Sequence, residues 1–441
     1  MVAHDGTFRI LVVNAGSSTV KFRLYEQTGS DRKLLAKGSG AKIGSSKSTV
    51  KIEVQEDAKA ERKADTHENT ISADEGTTHD SVFRKIIQSL AKTSGLLDHV
   101  KVVGHRVVHG GAKFSDPVVL THETVSALDE LSDLAPLHNH PSVMLIRTAL
   151  NVADLKAAKQ VAVFDTQFHK TLEEKVWRYP LPYDACNESG LRKYGFHGIS
   201  YSYVSRAAAK HLGKPLEQLK LIILHLGNGA SACAIKHGKS IDTSMGFTPL
   251  EGLMMGTRSG DIDPSAPYHV SSDAFSVTEK TPAVPAAPDG PKITKVEDVL
   301  NHKSGLIGIC GESDMGKIVS LAQGKVLSKD DGDEEAKRRA QLAVDMFCYR
   351  VQKYIGAYFV ACGGADSLVF TGGIGEKSAY VRSQICHGLE CLGLRIDEAQ
   401  NEKCVVDQDK VVEIGEEGSR LRAIVVATDE EGEIARLAAD L

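Results

Sequence analysis

The chain has 441 residues, 41% hydrophobic and 25% charged, with 53 Lys and Arg against 58 Asp and Glu and a formal net charge of −5. That length exceeds one ordinary core and predicts two domains. The composition argues against two classes: no apolar run reaches the roughly 20 residues that span a bilayer, and no basic stripe with interleaved aromatics is present to follow a nucleic-acid backbone.

The start, MVAHDGTFRI, has neither secretory nor transit character, and the final AADL is no sorting signal, so a cytoplasmic location is expected. Residues 9–13 form a continuous apolar run typical of a strand buried on both faces, followed by the Gly/Ser turn NAGSST at residues 14–19 and a second alternating strand at 21–25. Val50, Ile52 and Val54 alternate like a strand that ends where the polar stretch 55–78 begins, and that stretch reads as a surface loop. Val82, Ile86 and Leu90 predict a helix over 81–91. The strand–turn–strand plan returns at 220–225, LGNGAS and 232–235, and residues 367–370 again run into glycines at 371–376. A long helix is predicted from about 333 to 360. Residues 271–292 form an insertion, with four of the thirteen prolines packed into 281–291. The eight cysteines include no C-x-x-C pair and read as reduced thiols. The class is α/β, and the recurring hairpins suggest a duplicated fold.

A tight Gly/Ser turn after a buried strand presents successive backbone N–H groups and hydroxyls to an anion. One such turn is weak evidence, but three, at residues 14–19, 226–231 and 371–376, suit a ligand with a row of phosphates. Arg106, between apolar residues in GHRVVHGG, and Arg258, in MGTRSGDID, have two readings each: an internal salt bridge or an anion clamp.

The blocks VNAGSSTVKF, GHRVVHGG, PLHNHP, VFDTQFHKT, YGFHGISY, LHLGNGAS, DTSMGFTPLEGLMMGTRSGDIDP and FTGGIGEKS, in order between residues 11 and 378, resemble the signature blocks of the acetate kinase family. The resemblance implies two ribonuclease H-like domains of the acetate and sugar kinase/actin superfamily, residues 1–169 plus 431–441 and residues 170–430, with the active site in the cleft between them. It also implies a homodimer, and reversible transfer of phosphoryl between ATP/ADP and acetate/acetyl phosphate with Mg2+ or Mn2+. In that reading Asp165, Arg258, Arg106 and His197 are catalytic. Arg106, Val108, Leu137, Phe196 and Pro249 bind acetate, the last four forming a shallow pocket for its methyl group. Nucleotide and phosphate fall to Ser17, Thr19, Lys21, His138, His225, Leu226, Gly227, Asn228, Gly229, Asp314, Met315, Gly316, Gly372, Gly373, Ile374, Gly375 and Glu376. Asn14 and Glu430 match the magnesium positions, and oxygen ligands suit that ion. His105, His109, His140 and His169 read as structural.

Thr19, Ala112 and Asp429 stand where the family usually has serine, glutamate and asparagine. At 314–316 many members carry Asp-Phe-Arg, whereas this chain has Asp314, Met315 and Gly316. The base contact therefore differs, which leaves inorganic pyrophosphate, the donor of a eukaryotic branch, as an alternative to ATP. Propionate and butyrate remain alternative acceptors, since one methylene is worth only about 1–3 kcal/mol. A nucleotide-binding chaperone or filament protein of the same superfamily would have no need of the two arginine motifs.

Overall fold

The computed structural model describes residues 6–16, 18–44, 47–55, 65–72, 77–93, 95–131, 136–270, 294–325, 334–407 and 410–441, with residues 65–72, 136–138, 268 and 270 described by their backbone alone. Ser17 and the proline-rich insertion lie outside the described residues, as do the side chains of Leu137 and His138. Two compact units form: the first takes residues up to Gln167 and Glu430–Leu441, the second the described residues from Phe168 to Asp429.

In the first unit β1 (Phe8–Ala15), β2 (Val20–Thr28), β3 (Asp31–Ala41), β4 (Lys47–Val54), β5 (Asp65–Ser72), β6 (Val100–Val107), β7 (Val118–Val119) and β8 (Lys159–Phe164) lie in the order β5-β4-β3-β2-β1-β6-β8-β7. β1 runs antiparallel to β2 and parallel to β6, and β6 parallel to β8. Leu11, Val13 and Ala15 share a core with Val82, Phe83, Ile86 and Leu90 of the helix His79–Lys92, which a Thr78–Ser81 capping box starts. Strand alternation turns Val12 and Asn14, and with them Gly104 and Arg106 of β6, to the other face. The helix Glu430–Ala439 packs there so closely that a Cβ on Gly104 would lie 2.7 Å from Ile434 Cγ2.

The polar stretch 55–78 is not all loop. Asp65–Ser72 forms an edge strand along β4, from Lys47↔Ser72 to Val54↔Asp65. Backbone pairing to β4 satisfies the groups on its inner side and solvent can serve the outer ones, so an edge strand needs no apolar alternation.

In the second unit β9 (Lys220–Leu226), β10 (Ala230–Lys236), β11 (Lys239–Thr243), β12 (Ser367–Thr371), β13 (Val411–Glu413) and β14 (Arg422–Val426) lie in the order β11-β10-β9-β12-β14-β13. The run β11-β10-β9-β12-β14 repeats β3-β2-β1-β6-β8, with the same two antiparallel pairs and the same two parallel ones. Leu221 and Ile223 of β9 and Cys233 and Ile235 of β10 pack on Tyr201, Val204 and Ala208 of the helix Gly198–Leu212. The predicted long helix spans Glu334–Cys362. The third glycine motif departs from the expected turn: after β12 the chain enters a short helix, Gly372–Lys377.

Candidate active site

In the first unit the sheet brings together residues far apart in sequence. Arg106, at the end of β6, holds both carboxylate oxygens of Asp165, which follows β8, with Nε–Oδ1 at 3.0 Å and Nη2–Oδ2 at 2.7 Å. Its Nη1 donates to Asn14 Oδ1 at 3.2 Å, beside the first glycine turn. Asn14 Nδ2 in turn donates to Glu431 Oε1 at 3.1 Å, and Glu431 pairs with Arg23 at 3.6 Å. Asp165 is 2% exposed, so this fork is held away from solvent. Burial opposes the Arg106 charge, but Asp165, Glu430 and Glu431 outweigh it and hold the guanidinium above its usual range. Glu430 feels the reverse: burial, with Asp165 and Glu431 adding like charge, pushes its carboxyl up to about 7 despite Arg106 and Lys21. Lys21 lies opposite Asn14 across the β1–β2 pair. Within the turn Gly16 N–H donates to Thr19 O at 2.8 Å, and a Cβ on Gly16 would meet Thr19 Oγ1 at 2.6 Å. Val108 is buried next to β6.

The second unit gathers a different set. The Leu226–Ala230 pair closes the hairpin around Gly227, Asn228 and Gly229, with Gly227 N–H donating to Gly229 O at 3.1 Å. A Cβ on Gly229 would lie 3.6 Å from both Arg258 Nη2 and His197 Nε2, so the arginine and the histidine meet at this turn. Arg258 Nη1 donates to Pro249 O at 2.8 Å, and the buried Phe196 carbonyl accepts from His169 at 3.0 Å. His197 stacks on His225, ring centroids 4.1 Å apart. Gly372 has φ 77°, and a Cβ there would lie 2.7 Å from Leu226 O, so the exits of β9 and β12 touch.

Behind that contact Glu376 Oε1 accepts from the N–H groups of Gly372 and Thr428, each at 3.0 Å. The Gly372 amide is thus engaged by an internal carboxylate. Arg382, 1% exposed, donates to the carbonyls of Gly375 and Glu376 at 2.9 Å and anchors the short helix carrying Gly373 and Ile374. Asp314 caps the helix Met315–Ala322 through the Lys317 N–H at 3.0 Å, and Lys317 pairs with Glu312 at 3.0 Å. These bonds stay within residues 312–317, and among the described residues no hydrogen bond ties Asp314 to the glycine turns. Sequence reasoning missed Glu431, Ser200, Tyr201, Ser231, Thr428 and Arg382, although Ser200, Tyr201 and Ser231 lie inside quoted motif blocks.

A sheet plan used twice, with an arginine at a glycine turn in each copy, defines a duplicated α/β protein built to hold an anionic ligand. The family model described as the acetokinase family matches residues 9–436. Acetate kinases of Carboxydothermus hydrogenoformans and Thermotoga maritima are each 41% identical to this chain, over 97% of it and 98% and 97% of their own lengths. Among solved structures, the acetate kinase of Porphyromonas gingivalis is 36% identical with a TM-score of 0.80, covering 98% of this chain and 99% of that one. A propionate kinase from Francisella tularensis is 35% identical with a TM-score of 0.82, covering 98% of this chain and 100% of its own. The chain belongs to the acetokinase family, and its two sheets repeat one α/β plan.

Proposed function

We propose that the chain is an acetate kinase, a phosphotransferase with a carboxyl acceptor that moves phosphoryl reversibly between ATP and acetate, giving ADP and acetyl phosphate by direct in-line transfer. The observation that carries this reading is the fork between Arg106 and the buried Asp165 beside Asn14. Acetate is ionised at neutral pH, so its attack on phosphorus requires no general base. The difficulty is the approach of one anion to another, which charge neutralisation and positioning overcome.

Asp165 aims the Arg106 guanidinium, whose remaining donor capacity serves a carboxylate or phosphoryl oxygen. Arg258 and His197 meet the phosphoryl group at the Gly227–Gly229 turn. Val108, Leu137, Phe196 and Pro249 receive the methyl group. Ser17, Thr19, Lys21, His138, His225 and the glycine segments take the phosphates, with Asp314, Met315 and Gly316 near the base.

The Glu430 carboxyl, pushed up by burial among Asp165 and Glu431, fits a place for a divalent cation. Asn14 and Glu430 would hold magnesium, which bound there would neutralise phosphate charge. Among the described residues no group of three or more His, Cys, Asp or Glu is arranged to hold a metal. That suits magnesium, which takes one or two carboxylates and fills its shell from water and phosphate oxygens.

We also expect a homodimer in the cytoplasm, with no nucleic-acid or membrane partner. Among the described residues no helix is long and apolar enough to cross a membrane. Acyl phosphate trapped as hydroxamate tests the assignment, with ATP or pyrophosphate as donor and acetate, propionate or butyrate as acceptor. The strongest signal is expected from ATP with acetate, and silence from every pair would overturn the reading. The propionate kinase likeness favours propionate as the second acceptor, and the departure at Met315 and Gly316 is the reason to include pyrophosphate.

A further inference from the structure

Behind His197 the second unit carries a buried line of hydroxyls that the phosphoryl-transfer assignment leaves unused. His197 Nδ1 lies 2.8 Å from Ser231 Oγ, and Ser231 Oγ is hydrogen-bonded to the Tyr201 hydroxyl. Tyr201 and Ser231 are both fully buried. The opposite ring nitrogen, Nε2, is the one that faces the Gly229 turn and shares it with Arg258.

Counting protons fixes the direction of this line. A serine hydroxyl has one proton to give, and so has a phenol. The polar partners of Tyr201 are Ser231 and the backbone of His225; both bonds lower the phenol's pKa, but a backbone group that does so is an N–H, which cannot accept, whereas the serine hydroxyl can accept as well as donate. The phenolic proton therefore goes to Ser231. Ser231, accepting from Tyr201, spends its own proton on His197 Nδ1. The reverse direction would strand the phenolic proton without an acceptor in a fully buried place, which is the costly outcome for a polar group. An Nδ1 that accepts leaves the imidazole proton on Nε2.

We infer that Tyr201 and Ser231 are positioning residues that hold His197 as the neutral Nε2–H tautomer, so that it donates to the phosphoryl group at the Gly229 turn. The inference rests on the phosphoryl-transfer reading for what His197 meets, but the tautomer itself is a property of the protein alone. With the proton on Nδ1 instead, the Nε2 lone pair would face a phosphoryl oxygen and repel it.

Ring-nitrogen NMR of the full chain labelled with ¹⁵N-histidine reads the tautomer directly, with the His197 signals identified by their loss in His197→Gln. The expected wild-type pattern at neutral pH is a protonated Nε2 and an accepting Nδ1. Ser231→Ala and Tyr201→Phe should each convert it to a mixture. In Ser231→Ala kcat for acyl phosphate formation should fall roughly 10- to 100-fold, as for other groups that orient a histidine, with the KM values for ATP and acetate nearly unchanged. A wild-type His197 protonated on Nδ1 would overturn the inference, as would a ring pattern indifferent to both substitutions. If the wild type forms no acyl phosphate, the kinase reading fails and the spectrum still decides the relay.

Discussion

β1 hands over to β2 across the Ala15–Val20 pair, and β9 hands over to β10 across Leu226–Ala230. One residue back from each closing pair stand Asn14 and His225; one residue on stand Lys21 and Ser231. On the neighbouring parallel strand His105 pairs with Val13 and Thr371 with His225, which sets Arg106 against Thr371. Equivalent backbone positions thus carry an amide, an ammonium and a guanidinium in the first unit, and an imidazole and two hydroxyls in the second. The helix whose first turn faces them differs in the same sense, with Glu430 and Glu431 opening one and His197, Ser200 and Tyr201 lying at the start of the other. One sheet plan places side chains at the mouth of its central strands, and the residue types decide whether the strands themselves supply formal charge or neutral donors there.

The sharpest way to break this contrast is to remove charge from the first unit. Arg106→Ala should lower kcat by about 10³-fold or more, the scale of phosphoryl-transfer arginines. It also leaves Asp165, Glu430 and Glu431 with less counter-charge, so the melting temperature should fall, as calorimetry will record.

Magnesium is the next lever. Added to metal-free protein at about 100 times its Kd, it should stabilise the fold by about 2.7 kcal/mol. Glu430→Gln removes a carboxyl that burial already disfavours, so without metal the variant should melt no lower than wild type, gain nothing from magnesium and lose transfer activity. A variant that still gained the full shift would place the ion elsewhere.

In the second unit the lever is the backbone where β12 gives way to the short helix. Gly372→Ala, forced into φ 77° with a Cβ 2.7 Å from Leu226 O, should cost about 1–3 kcal/mol in denaturant titration and raise the KM for ATP.

At neutral pH the smallest effect is one the two units share, because it shows only on acidification. Each has a buried histidine whose pKa burial pushes down to about 4: His105 on Gln160 in the first, and His169 between Ser240 and the Phe196 carbonyl in the second. Depressed folded-state values mean that the unfolded chain binds more protons between about 4 and 6.5. Their stabilisation is complete above pH 6.5 or so and is lost on acidification through that window, roughly 3 kcal/mol for each at most. His105→Gln or His169→Gln should flatten the corresponding part of a stability–pH curve.

The buried strands, the two hairpin turns and the long helix were legible because apolar runs and glycines announce them locally. The strand Asp65–Ser72 was not, because an edge strand of polar residues pairs with β4 on one side without an apolar pattern. Residue pattern alone placed Arg106 in need of a partner; the parallel β6–β8 pairing is what brings it to Asp165, 59 residues away. Arg382 shows the limit of a rule: a buried guanidinium was expected to need a carboxylate or phosphate, yet this one is held by Asn401 Oδ1 and by backbone carbonyls. The hydroxyl line behind His197 was invisible for a similar reason, since Tyr201 and Ser231 belong to separate elements.

The path of the chain through the two sheets binds their histories together. The helix lying over Val12 and Gly104 is reached only after the last strand of the other half, whereas the helix lying over Ile223 and Cys233 precedes β9 within its own unit. A gene cut at Asp429 would strip the older-numbered sheet of its cover, and one begun at Phe168 would carry an orphan helix at its far end. The second unit runs from Phe168 to Asp429 with its own cover, whereas the first needs the helix Glu430–Ala439, so protease clipping near Gln167 should yield a nicked pair held together by that helix.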